Sequence, residues 1–73
     1  MGPGLKIGMI VIALRYNHER EKVQGEPAII NSINEDGTIN CHVFQVDGAV
    51  VARYALVQMK DGEDLTPGHW HYT

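Results

Sequence analysis

Two Asp-Gly dipeptides, Asp36-Gly37 and Asp47-Gly48, constrain this chain more than any other feature. Each falls between runs rich in β-branched residues and supplies the positive φ that a tight hairpin needs. The run before the first turn, Pro27-Ala28-Ile29-Ile30-Asn31-Ser32-Ile33-Asn34, reads as a strand. Between the turns, residues 38–45 alternate, with Ile39, Cys41 and Val43 on one side and Thr38, Asn40 and His42 on the other. Beyond the second turn Val50, Ala52, Tyr54 and Leu56 share a face. Residues 27–56 are therefore expected to form a three-stranded antiparallel meander.

Upstream, residues 9–16 are too few and too β-branched for a comfortable helix, and they read as the first strand. Both of its faces are largely apolar, Ile10, Ile12, Leu14 and Tyr16 on one and Met9, Val11, Ala13 and Arg15 on the other. Residues 17–25 are polar, of mixed charge and end in glycine, which predicts a long loop. Val57-Gln58-Met59 reads as a short fifth strand beyond a bend at Ala55-Leu56, followed by a turn and loop over 60–68. Residues 1–8, with three glycines and a proline, read as a flexible lead-in. The C-terminal His69-Trp70-His71-Tyr72 is too aromatic for a solvated tail. Trp70 alone carries about 200 Å² of surface that favours burial, so residues 66–73 are expected to dock. Five short strands with no helical period describe one all-β domain over residues 1–73, a five-stranded SH3-like barrel, with an OB-like barrel as the alternative.

Size then limits how such a sheet holds together. A 73-residue chain buries only about 60% of the surface its unfolded form exposes. Cys41 is the only cysteine, so no intrachain disulfide helps, and a reducing, cytoplasmic setting is the natural reading. Self-association into a homo-oligomer is expected instead, with Met9, Val11 and Val51 as an apolar outer stripe at the interface. Six basic against nine acidic residues, a net charge of −3, argue against extended nucleic acid as the partner. No apolar run approaches the ~20 residues of a membrane span, so no membrane partner is expected.

Few residues offer chemistry. His69 and His71 point to one side of an extended segment and, with His18 or Cys41, invite comparison with a zinc site. A lone cysteine without the usual ligand spacing argues against one, and neither metal nor cofactor is expected. Cys41 and His42 are adjacent on a strand and point apart, so they make no nucleophile–base pair. Without paired carboxylates or a phosphate-cradling glycine loop either, the chain reads as non-enzymatic. The most suggestive set is Tyr16, His18 and Arg20 near the first loop, Arg53 on the fourth strand, and Trp70, His71 and Tyr72 in the tail. Aromatic faces stack on bases and guanidinium groups hold phosphates, so this set reads as a site for a nucleotide or another small anion.

Taken in order, Pro27-Ala28-Ile29-Ile30, Asp36-Gly37-Thr38-Ile39-Asn40, Val43-Phe44, Asp47-Gly48 and Pro67-Gly68-His69-Trp70-His71 form a pattern spread over about two-thirds of the chain. The pattern resembles small proteins encoded in bacteriophage and prophage genomes, which carry Pro-Ala-Ile-Val, Asp-Gly-Val-Asn, Val-Phe and Pro-Gly-Thr-Trp-His; His69 stands in the place of their threonine. The resemblance implies a viral protein with a small β-fold, working in the cytoplasm of the infected bacterial host. By analogy with other small phage proteins it implies an anti-defence sponge for immune-signalling nucleotides, or else a minor virion or assembly protein that makes protein–protein contacts.

Overall fold

The computed structural model describes residues 4–60 and 62–73 and is all-β. Its strands are β1 (Ile10–Asn17), β2 (Lys22–Ile33), β3 (Ile39–Phe44), β4 (Val50–Gln58) and β5 (His69–Tyr72). Each pairs with the next, and β5 returns to β1, so the sheet closes into a ring. All pairings are antiparallel except the short parallel one between β4 and β5. Among the described residues no helix is long and apolar enough to cross a membrane.

The meander forms where the Asp-Gly pairs predict it, and both turns are built alike. Asn34 N–H donates to Thr38 O and Gln45 N–H to Ala49 O, while Gly37 and Gly48 adopt φ of 88° and 91°. In each turn the aspartate Oδ1 accepts a backbone N–H two residues on, from Thr38 and from Ala49. Glycine is needed at both positions because side chains rarely tolerate that conformation.

Three expectations change. The polar stretch 17–25 is not a long loop: β1 and β2 stay paired out to Asn17↔Lys22, leaving a turn over residues 18–21. Its hydrophilicity reflects a hairpin tip projecting beyond the core, closed by Asn17 Oδ1 accepting the N–H groups of Glu19 and Arg20. Gly25 is a packing residue inside β2, where an added Cβ would lie 2.6 Å from Ile12 Cγ2. Pro27 is tolerated for a directional reason. Ile30 N–H donates towards β1, to Met9 O, so by alternation position 27 would point its N–H towards β3, whose pairing stops at Ala28↔Val43.

The fifth strand is the docked tail, His69–Tyr72, and residues 57–58 belong to β4. The third change is one of facing. Val11 is fully buried, and Met9 and Val51 are half-buried against the same core, so they form no outer stripe on this chain. Apolar residues at both alternations of β1 left the choice open. Pairing decides it, because the small Ala13 stands opposite the bulky Trp70 and carries Val11 inward with it.

In β4 the inward set starts as Val51 and Arg53, opposite Val43 and Cys41, then switches to Leu56 opposite Ile39. The switch is a bulge at Ala55, whose φ is 55°. Asn40 holds it: its Oδ1 accepts Ala55 N–H at 2.9 Å, while its amide donates to Ser32 Oγ and Asn34 Oδ1. The core gathers Val11, Ala13, Ala28, Ile30, Ile39, Cys41, Val43, Leu56 and Trp70.

A left-handed conformation costs a side-chain-bearing residue roughly 1–2 kcal/mol, whereas glycine adds about 0.4–1 kcal/mol of unfolded-state entropy to lose. Ala55→Gly is therefore expected to stabilise the fold by about 0.5–1 kcal/mol and Ala55→Val to destabilise it, as read from urea midpoints. The Asp36 carboxyl is held below its ordinary value of 3.8 by hydrogen bonds from the Thr38 hydroxyl and N–H. A depressed carboxylate stabilises the fold fully above the unfolded value and loses that contribution as pH falls through the folded one. Asp36→Asn is accordingly expected to flatten the acid limb of the stability–pH curve, measured from neutrality down past pH 3.8.

Candidate functional site

β5 has only four residues and meets β4 only at Val57↔His69 and Gln58↔Trp70. Its pairing with β1 covers only residues 11–13. Beyond these pairs the far half of β1 and the near half of β4 run without a strand between them. A cleft of ≈ 300 Å³ opens along this seam. Ala13, Leu14 and Arg15 of β1 form one side, and Ala52, Arg53, Tyr54 and Leu56 of β4 the other. Glu26, Val43 and Gly68 complete the lining. Of these residues Arg15, Glu26 and Arg53 share the inward alternation of their strands.

Two of them form an ion pair. Glu26 is completely buried, and its two carboxylate oxygens accept from Arg15 Nε at 2.5 Å and Nη2 at 3.0 Å, a two-pronged contact. Glu26 Oε2 also accepts Val46 N–H at 3.1 Å, tying the second hairpin turn to β2. These bonds hold the Arg15 guanidinium still more firmly protonated than usual, against the opposing effect of burial. Arg53 differs. Among the described residues it makes no hydrogen bond or ion pair, and Tyr54 beside it is 72% exposed. The seam thus offers an apolar wall, one neutralised arginine, one uncommitted arginine and an accessible phenol ring.

The seven residues singled out from the sequence do not assemble into one site. Tyr16 and His18 meet edge to face at 4.9 Å, and His18 borders a second cleft of ≈ 260 Å³ with Asn17, Glu19 and Gln45-Val46-Asp47. Arg15 lines both clefts and is their link. Arg20 is exposed on the turn, and Arg53 lies in the seam. Trp70 is 0% exposed, so it is a core residue and offers no stacking face; its Nε1 finds no partner among the described residues. Tyr72 packs edge-on against it at 5.1 Å, and His71 Nδ1–H donates to Tyr72 O. β5 spends its aromatics on packing.

Sequence reasoning passed over Glu26, Arg15 and Tyr54. The signal for Glu26 was present: it shares alternation with Ala28 and Ile30, so extending that strand two residues upstream puts a carboxylate on the core face. Arg15 lies on the matching face of β1. Cys41 is fully buried, and burial pushes its thiol above its ordinary value while Arg53 opposes the shift, an arrangement unsuited to a nucleophile. Among the described residues no three of His, Cys, Asp or Glu gather as a metal site would require.

Removing Arg15 strands a buried carboxylate, which costs more than replacing both partners by apolar groups. Arg15→Leu is therefore expected to lower the urea midpoint. The double variant Arg15→Leu/Glu26→Leu should recover most of the loss. Compared with known protein families, characterised proteins and solved structures, this chain matches none.

Proposed function

We propose that this chain is a phage-encoded, non-enzymatic binding protein with an SH3-like barrel that sequesters a small anionic ligand in the seam between β1 and β4. Every strand neighbours its successor in the ring, a meander order that favours an SH3-like description over the Greek-key path of an OB-like barrel. The observation that carries the ligand reading is Arg53, an uncommitted guanidinium in a cleft whose other charged groups, Arg15 and Glu26, are paired with each other, set beside an exposed tyrosine. A guanidinium fork grips phosphate or carboxylate, and a phenol face stacks on a base. A nucleotide carries both groups, and an immune-signalling nucleotide of the infected host's cytoplasm is the ligand this reading favours. The buried thiol of Cys41 supports binding without covalent chemistry.

A second reading, a minor virion or assembly protein, draws on the exposed apolar residues of the outer sheet, Phe44 and Val50 among them. Finding the chain in purified virions would favour it over the sponge.

Isothermal titration against cyclic and linear nucleotides tests the ligand reading. Binding is expected for at least one of them, and Arg53→Ala should weaken it by roughly 10- to 100-fold, the equivalent of one charge-assisted contact. No heat with any nucleotide, together with an unchanged melting temperature, removes the proposal.

A further inference from the structure

The molecule's charges are sorted by position. Of the strand residues, Arg15, Lys22, Glu26 and Arg53 carry charge. Glu26 is buried, Arg15 and Arg53 alternate with the inward set, and Lys22 sits at the hairpin tip. The remaining charges of the described residues lie in turns and at the chain's ends. The outward positions of β1 to β4 hold none.

Two cross-strand rows of those outward positions are apolar but for His42, whose Nδ1 meets Asn31 Nδ2 at 2.9 Å. Ile10 pairs with Ile29, Ile29 with His42, and His42 with Ala52. One step along, Phe44 pairs with Val50 and, by the same alternation, stands across from Pro27, which in turn pairs with Ile12. Ile10 is 55%, Phe44 41% and Val50 56% exposed. Scattered exposed apolar residues need no explanation, but two adjacent cross-strand rows of them form a contiguous patch. Loss of charge together with retained aromatic and aliphatic bulk is the composition of the centre of a protein interface, not of a solvated sheet.

We propose that this outward face is the contact surface between two copies of the chain. The choice of a second copy follows from charge. An isologous contact sets a surface against itself, so any charge on it meets its like or is desolvated without a partner. A face with none escapes that penalty. A charged partner, by contrast, would lose hydration here and find nothing to pair with. A stable interface takes about 800 Å² from each partner, about one sixth of the 4902 Å² this chain exposes. The surface differs from the Met9, Val11 and Val51 stripe expected from sequence, which packs inward. Of the residues that line the seam its two rows hold Ala52 alone, and they hold neither Arg53 nor Tyr54, so it stands apart from the groups the ligand reading uses.

Sedimentation velocity over a concentration series tests the proposal. The expected result is a monomer–dimer equilibrium for the unmodified chain, weakened roughly 10-fold or more by Val50→Lys, which puts like charges on the facing surfaces. Glu35→Lys, on a turn away from the face, should leave the equilibrium unchanged. Circular dichroism checks that the Val50 variant is folded. Should it unfold, concentration-dependent shifts of the Ile29 and Val50 methyl resonances in the unmodified chain supply the same test. A chain that stays monomeric to millimolar concentration with those resonances unmoved overturns the proposal and leaves the face to a different protein. A folded Val50→Lys that dimerises as well as the unmodified chain overturns it too. Arg53→Ala should still dimerise, so a failed ligand titration and a failed dimer are separately readable.

Discussion

Burial of one indole closes this structure. Trp70 is the largest fully buried side chain, and it reaches the interior from a strand of four residues. At about 25 cal/mol per Å² its ~200 Å² of surface is worth on the order of 5 kcal/mol, comparable to the whole net stability of many small domains. The other core residues are Ala, Val, Ile, Leu and Cys, and none approaches that bulk. β5 can therefore be short: a few backbone bonds set its direction, and the indole keeps it in place. The position opposite, Ala13, is small where the tryptophan is large.

A closing strand this short leaves the ring shut at one end and parted at the other, and the parted end is where polar groups reach the interior. Arg15, Glu26 and Arg53 all face inward, yet only the first two are matched to each other. Glu26 is the member with no route to water, and it is bonded on three sides, twice by Arg15 and once by Val46 N–H. Arg53 lines the seam and, among the described residues, has no such anchor. The same shortness that makes Trp70 indispensable thus creates a place where a guanidinium can meet an outside partner.

The bulge in β4 belongs to the same economy of length. Without the extra residue at Ala55, the strand would carry Ala55 inward and turn Leu56 out, leaving Ile39 without its partner. Asn40 makes the irregularity affordable by satisfying Ala55 N–H directly, and its own amide is shared between Ser32 and Asn34. One outward polar side chain thereby fixes the inward register of two strands.

Local chemistry determined a good deal by itself: the β character, the two hairpin turns and the alternation of Ile39, Cys41 and Val43 follow from residue type and spacing, because turn geometry and period-two facing act over a few neighbouring residues. The docking of the tail followed as well, since a tryptophan rarely stays in water. Which strand the tail would form, which side of β1 faces in, where β4 reverses its facing and which cations stay unpaired were decided only by the tertiary structure. Each depends on pairing between residues distant in sequence: Ala13 with Trp70, Leu56 with Ile39, Arg15 with Glu26. An apolar residue on a two-sided apolar strand carries no mark of which side wins. That choice belongs to whatever it meets when the ring closes.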